Sequence, residues 1–300
     1  MDVINIFPPD EAAGRYAVST VDVNGIKRKF LDIPYATVSP NQKLDIYLPD
    51  EGEGPFPTII YYHGGAFITG QRKDFSLTYM IDGIRRGYAV VSVDYRFSFE
   101  CVFPEPVFDV KTAVRFLRAN AEKYHLDPSR FCAVGGSAGA YFTGLIAATD
   151  GIAGMEGYKF GYEDQSSAIQ AAIGLFGCYD MVKESYFSEA MPTPVDRPKM
   201  PNFSDLYMGF NCREQEELAR FANPASYIRP NFPPMLVWAG TADAIVPCEC
   251  SVEFAQQVNK ICGEGRATLE LFEGFAHSDD RFAEMENINR MFAFIDQHLK

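Results

Sequence analysis

From about Pro57 onward, short apolar runs alternate with longer amphipathic ones, and this alternation restricts the possible folds more than any other feature of the chain. Thr58–Tyr62 and Tyr88–Asp94 are rich in Ile, Val and Tyr, as strands buried on both faces are. Phe108 to Tyr124 repeats apolar residues at helical spacing (Val110, Val114, Leu117, Ala121), and Asp127-Pro128 closes that unit as a turn. Phe131–Val134 is the next strand, followed by a helix of small residues from about Ala138 to Ala148. Ala171–Phe176, Met235–Trp238 and Thr268–Phe272 are further strands, with helices over Ser251–Ile261 and Arg281–Leu299. Such a series implies right-handed crossovers and a mostly parallel central sheet with helices on both faces, an α/β architecture.

Two regions depart from the pattern. In the first 55 residues, Ala17–Val23 and Leu44–Leu48 are separated by the turn pairs Asn24-Gly25 and Pro40-Asn41, which predicts antiparallel N-terminal strands at the leading edge of the sheet. Residues 178–229 do not alternate and are dense in prolines and aromatics. They read as a small irregular, lid-like insertion over the edge where α/β sheets bind ligands. The whole chain, 1–300, is therefore expected to form one domain with an elaborated rim.

Charge narrows the possible partners. With 27 Lys and Arg against 40 Asp and Glu the net charge is −13, so no basic stripe exists to displace phosphate counterions. Nucleic acid and anionic membranes are not expected partners, and a homo-oligomer is left open. The longest apolar runs are far too short to span a bilayer. The stretch MDVINIFPPDEAAG lacks a basic start, an apolar core and a cleavage site, which predicts a cytoplasmic protein. Seven scattered cysteines, an odd number, do not suggest a disulfide framework.

Chemistry concentrates at four strand ends. Gly135-Gly-Ser137-Ala-Gly139 lies between a strand and a small-residue helix, where glycines relieve the crowding of a sharp strand-to-helix turn. Ser137 Oγ would stand at the helix N-terminus, which favours developing negative charge. Tyr62-His63-Gly64-Gly65-Ala66-Phe67 follows another buried strand, and its backbone can turn N–H groups toward Ser137. The N–H groups of Gly65, Ala66 and Ala138 are the candidate oxyanion hole, with His63 as a structural residue of that loop.

A nucleophilic serine needs a base. Of the four histidines, His125 sits in a helix-ending turn and His298 in a terminal helix, whereas His277 follows a strand on a loop at the serine's edge. Asp243 follows the preceding strand and completes the order serine, acid, histidine. Asp279 and Asp280 are too close in sequence to His277 to reach around it and are read as solvated charges. Cys248-Glu-Cys250 lacks a second Cys or His pair and is read as packing at a helix start, not as a metal site.

With these motifs the chain resembles α/β-hydrolase esterases of the hormone-sensitive-lipase-like group, and more closely the bifunctional feruloyl and acetyl-xylan esterases. The likeness spans roughly Phe30 to Phe294. It includes Lys43-Leu-Asp-Ile-Tyr-Leu-Pro49, the His63-Gly-Gly loop, Leu126-Asp-Pro-Ser-Arg130, Asn223-Pro-Ala-Ser-Tyr227 and Val246-Pro247. The resemblance implies an α/β-hydrolase fold with nucleophile Ser137, acid Asp243, base His277 and oxyanion donors on Gly65, Ala66 and Ala138. It implies a cofactor-free serine esterase acting on short acyl esters, acetyl or feruloyl groups on xylan-derived oligosaccharides. Ala66 departs from the third glycine usual in that loop, retaining the donor but adding a methyl group. The aromatics Tyr179, Tyr186, Phe187, Phe203, Tyr207 and Phe210 are candidates for stacking on sugar or phenolic rings, or for filling the insertion's own core. An amide hydrolase on the same triad is the alternative. A non-catalytic binding protein is a third reading, weakened by the presence of all three triad residues.

Overall fold

Eight strands form one sheet in the computed structural model, which describes residues 20–190 and 202–300. They are β1 (Lys29–Pro34), β2 (Lys43–Tyr47), β3 (Phe56–Tyr62), β4 (Ala89–Val93), β5 (Leu126–Gly136), β6 (Ala171–Leu175), β7 (Met235–Gly240) and β8 (Ala267–Phe272). Their order across the sheet is β1-β2-β4-β3-β5-β6-β7-β8. β1 and β2 are antiparallel to each other, β2 is antiparallel to β4, and every other pairing is parallel. The C-terminal ends of β3, β5, β7 and β8 therefore open on one edge, each feeding a loop that carries a candidate site residue.

Central strands are buried along their whole length, which is why they lack a polar face in the sequence. On one side of the sheet lie α1 (Glu105–Ala119), α2 (Ala138–Ala148) and a helix at Cys248–Cys262, around a core including Val110, Val114, Tyr141, Phe142, Phe254 and Val258. On the other lies the C-terminal helix, Met285–Leu299. It presents Ile288, Met291, Phe292, Ile295 and Leu299 at three- and four-residue spacing to Tyr88 and Met80. Helices thus cover both faces.

Several expectations require correction. Residues 20–23 of the segment expected as a strand over Ala17–Val23 touch the fold through an isolated Thr20–Asp74 bridge and the Val21 N–H to Lys73 O bond, outside the sheet; residues 17–19 lie outside the described residues. The edge position is taken instead by β1, a mostly exposed strand bent by a bulge between Phe30 and Ile33. α1 begins three residues before Phe108, because Pro104 caps it and Pro106 sits in the first turn, where no N–H is required. The expected turn at Asp127-Pro128 is a wide bulge within β5. There Phe56 pairs with Leu126 and Thr58 with Phe131, and Asp127 Oδ1 accepts the N–H and hydroxyl of Ser129. The last helix starts at Met285 instead of Arg281, because a 3-10 turn over Asp280–Ala283 precedes it.

The described part of the insertion is not irregular. It holds α3 (Met181–Ala190) and α4 (Phe203–Met208), so the helices above become α5 (Cys248–Cys262) and α6 (Met285–Leu299). Asn202 caps α4 by accepting the Asp205 N–H, and its amide donates to Ser185 O on α3 at 2.7 Å. The Tyr141 hydroxyl of α2 donates to Ala222 O at 2.8 Å, and the Tyr207 ring stacks on Phe67 at 4.3 Å. Tyr179 stacks on Phe254 at 4.2 Å. The insertion is thereby anchored to α2 and to the loop after β3.

A buried ionic cluster fixes α1. Glu156 receives Lys111 Nζ at 2.7 Å on one oxygen and Arg115 Nη1 at 3.0 Å on the other, while Ser167 Oγ donates to it at 2.9 Å. All three charged side chains are essentially inaccessible, and burial pushes the Lys111 amine down to about 8. Removing the single anion would strand two buried cations. Glu156→Gln is expected to lower stability by about 3–5 kcal/mol, read as a drop in the urea midpoint at unchanged slope; a change below about 1 kcal/mol would show the cluster to be dispensable.

Candidate active site

The turn after β5 is built by close backbone approach. Ser137 has φ 54° and ψ −121°, a strained conformation for a side-chain-bearing residue, and its N–H donates to Leu175 O at 2.9 Å. A Cβ on Gly139 would lie 2.0 Å from Tyr62 O, and one on Gly135 2.3 Å from the Gly139 carbonyl carbon. Neither position can take another residue without moving a strand or the helix. The Ala138 N–H, at the first position of α2, has no acceptor within the helix.

Asp243 and His277 arrive from the loops after β7 and β8. Asp243, with its carboxylate fully buried, accepts the N–H groups of Ile245 and Val246 on Oδ1, both at 2.9 Å. Its Oδ2 accepts the N–H of His277 Nδ1 at 2.7 Å. The opposite ring nitrogen, Nε2, then accepts the Ser137 hydroxyl at 3.0 Å. Three side chains distant in sequence are thus brought into one hydrogen-bonded chain. The two loops are also joined to each other: Ala242 N–H donates to Phe275 O at 3.0 Å and Gly274 N–H to Thr241 Oγ1 at 2.9 Å.

Asp279, expected as a solvated charge, does structural work here. It accepts the Ala276 N–H at 3.0 Å and the Arg281 side chain at 2.7 Å, and it caps the following turn, so it fixes the backbone on both sides of His277. Phe176, with φ 42°, places its ring edge-on to the imidazole at 5.0 Å. Neither contribution was visible in the sequence. An Asp two residues after a histidine signals nothing by itself, and Phe176 reads as the end of a buried strand.

The loop after β3 winds left-handed through Gly65 (φ 107°), Ala66 (φ 50°) and Phe67 (φ 64°), and Gly65 O accepts the N–H groups of Ile68 and Thr69. Gly65 is obligatory, since a Cβ there would meet Thr69 O at 2.1 Å. Ala66 accepts the left-handed conformation at a cost of about 1–2 kcal/mol, and the buried Phe67 ring, packed against Tyr141 and Tyr207, holds it there. Gly65, Ala66, Gly136, Ser137 and His277 all line one cleft of about 440 Å³. Phe203 is the one aromatic from the expected stacking set that lines it; Tyr179 and Tyr207 are core residues.

His63 lies beneath this loop, inaccessible to solvent. Its ring stacks on Tyr95 at 4.4 Å, its Nδ1 contacts Gly64 O at 2.7 Å, and its own carbonyl accepts the Tyr95 hydroxyl at 2.8 Å. His125 is exposed, and His298 is half-buried against Phe294. Cys248 and Cys250 occupy the first turn of α5.

A mostly parallel sheet with antiparallel leading strands, a serine on a strained strand-to-helix turn, and an acid and a histidine on the loops after β7 and β8 define an α/β-hydrolase. Within that class the chain belongs to the BD-FAE family, whose model matches residues 44–258. It is 30% identical to esterase LipQ of Mycobacterium tuberculosis over 81% of this chain and 55% of that protein. It is 25% identical to isoprenylcysteine alpha-carbonyl methylesterase ICME of Arabidopsis thaliana, over 80% of this chain and 54% of that one. The chain spans about half the length of the curated relatives it matches. Among solved structures it is similar to a truncated form of a carbohydrate esterase from gut microbiota, with TM-score 0.81 and 25% identity, covering 93% of this chain and 99% of that one. A bifunctional GH43-CE protein of Bacteroides eggerthii gives TM-score 0.79 and 28% identity over 91% of this chain and 35% of that one. Among the described residues no helix is long and apolar enough to cross a membrane.

Burial pushes His63 down to about 4 from its ordinary 6.5. Between those values the unfolded chain binds a proton that the folded loop excludes. The stability His63 contributes is therefore complete above pH 6.5 and is lost as pH falls toward 4, by about 3 kcal/mol at ~1.4 kcal/mol per pH decade. The expected result is that the stability advantage of wild type over His63→Asn shrinks by about that amount between pH 7 and pH 4 in parallel urea titrations. An advantage constant across the range would show that the ring takes up its proton within the fold.

Proposed function

We propose that the chain is a serine carboxylesterase that cleaves short acyl esters of carbohydrates, acetyl or feruloyl groups on xylan-derived oligosaccharides. The observation that carries this reading is the Ser137–His277–Asp243 hydrogen-bonded chain at the floor of a largely apolar cleft. The carbohydrate part is supported by the likeness to the gut-microbiota carbohydrate esterase and the GH43-CE protein.

In this reading His277 Nε2 takes the Ser137 proton as Oγ attacks the ester carbonyl. Asp243, held by two backbone donors, keeps the Nδ1–H tautomer and stabilises the imidazolium that forms. Negative charge developing on the carbonyl oxygen is met by the N–H groups of Gly65, Ala66 and Ala138, the last at the positive end of α2. The imidazolium then protonates the leaving alcohol, and water, activated by His277 in turn, attacks the acyl-serine and releases the acid. The cleft, within the size range of small-ligand sites, suits a small acyl group better than a polymer.

Ser137→Ala is expected to reduce hydrolysis of p-nitrophenyl acetate and of acetylated xylo-oligosaccharides by at least 10³-fold with an unchanged far-UV circular dichroism spectrum. Asp243→Asn, which holds the wrong tautomer, is expected to lower kcat by about 10⁴-fold. A fluorophosphonate probe should label wild type at Ser137 alone; an unlabelled but folded protein, or undiminished turnover by Ser137→Ala, would refute the assignment.

A further inference from the structure

One carboxyl group on the cleft wall has no task in the reaction described above. Asp74, 5% exposed, lines the cleft together with Ser137, Thr69 and Ser76, and its Oδ1 accepts the Ser76 N–H at 3.1 Å. Among the described residues lining the cleft, only Asp74 and His277 can ionise; no Lys or Arg reaches it. The cations adjacent to Asp74 in the chain are engaged elsewhere. Lys73 Nζ lies 3.6 Å from Asp45, and Arg72 pairs with Asp94 and Asp32. Burial pushes the Asp74 carboxyl up to about 6, so it still carries its charge at neutral pH. The buried phenols of Tyr61, Tyr79 and Tyr95, whose own ionisation it disfavours, add no positive charge. Among the described residues nothing on this wall carries a positive charge opposite the carboxylate, and a chain of net charge −13 supplies no compensating field.

We propose that Asp74 sets the charge selectivity of the cleft, admitting neutral, hydroxylated esters and rejecting esters that carry a carboxylate. The inference rests on the esterase reading and extends it to substrate class. A neutral sugar hydroxyl can donate to the Asp74 carboxylate, a charge-assisted bond stronger than a neutral one. A substrate carboxylate within the same small space meets a like charge that little water screens.

The test compares two isosteric acetyl esters that differ in charge, 4-acetoxybenzoate and 4-acetoxybenzamide, whose para geometry keeps the carboxylate from attacking its own ester. Wild type is expected to favour the neutral ester in kcat/KM by at least tenfold. Asp74→Asn keeps an acceptor for the Ser76 N–H while removing the charge, and should bring the ratio to within about threefold of unity. Asp74→Glu, which restores the charge, should retain the discrimination; a merely structural role would not separate the two variants in this way. A wild type that treats the two esters alike, or a ratio that Asp74→Asn leaves untouched, overturns the inference while leaving the esterase reading in place. Failure of wild type to turn over either ester, together with no fluorophosphonate labelling, overturns both.

Discussion

The hydrogen bond from the Ser137 N–H to Leu175 O holds the residue on which the site depends in a conformation it would otherwise leave. It continues the β5–β6 ladder one residue beyond the strand, while the next residue already begins α2. Chain direction changes within a single residue, and the strain is sustained because strand and helix are each fixed elsewhere. β5 lies between β3 and β6 near the centre of the sheet. α2 is buried along its whole length and is pressed so closely to β3 that only glycine fits at 139. Everything that meets Ser137 is positioned relative to this corner.

Legibility in the sequence followed burial. β3, β4, β6 and β7 are enclosed on both faces, and such strands leave continuous apolar runs that composition reveals directly. β1 is an edge strand with a mostly exposed pattern, so its sequence, Lys-Phe-Leu-Asp-Ile-Pro, carries no periodic signal. Ala17–Val23 presents the reverse case: β-branched residues without a neighbouring strand to pair with, at least over residues 20–23. α3 was hidden because it does not separate apolar from polar faces in the usual way, packing instead through small and polar contacts such as Ser185 to Asp205.

For the site itself, the residues that meet could be named in advance because each follows a recognisable strand and the chain order of the fold is fixed. The residues that shape their surroundings could not. Asp74, Phe176 and Asp279 act through contacts that exist only once three loops have converged, and no local spacing encodes them. The same holds for Glu156, whose pairing with Lys111 and Arg115 joins segments some forty residues apart. Of the insertion's many aromatics, Phe203 alone of those expected to stack on substrate lines the cleft, because Tyr179 and Tyr207 are spent on packing.

The joining of the β7 and β8 loops has a mechanical outcome. Ala242 is bonded to Phe275 and Gly274 to Thr241, so the carboxylate and the imidazole ride on one stiff platform, whereas the hydroxyl belongs to a different one. The Nε2–Oγ contact at 3.0 Å is therefore where the two platforms meet. In the proposed reaction this pairing leaves the ring free to adjust its distance to the hydroxyl between half-reactions while the acid keeps hold of its Nδ1–H.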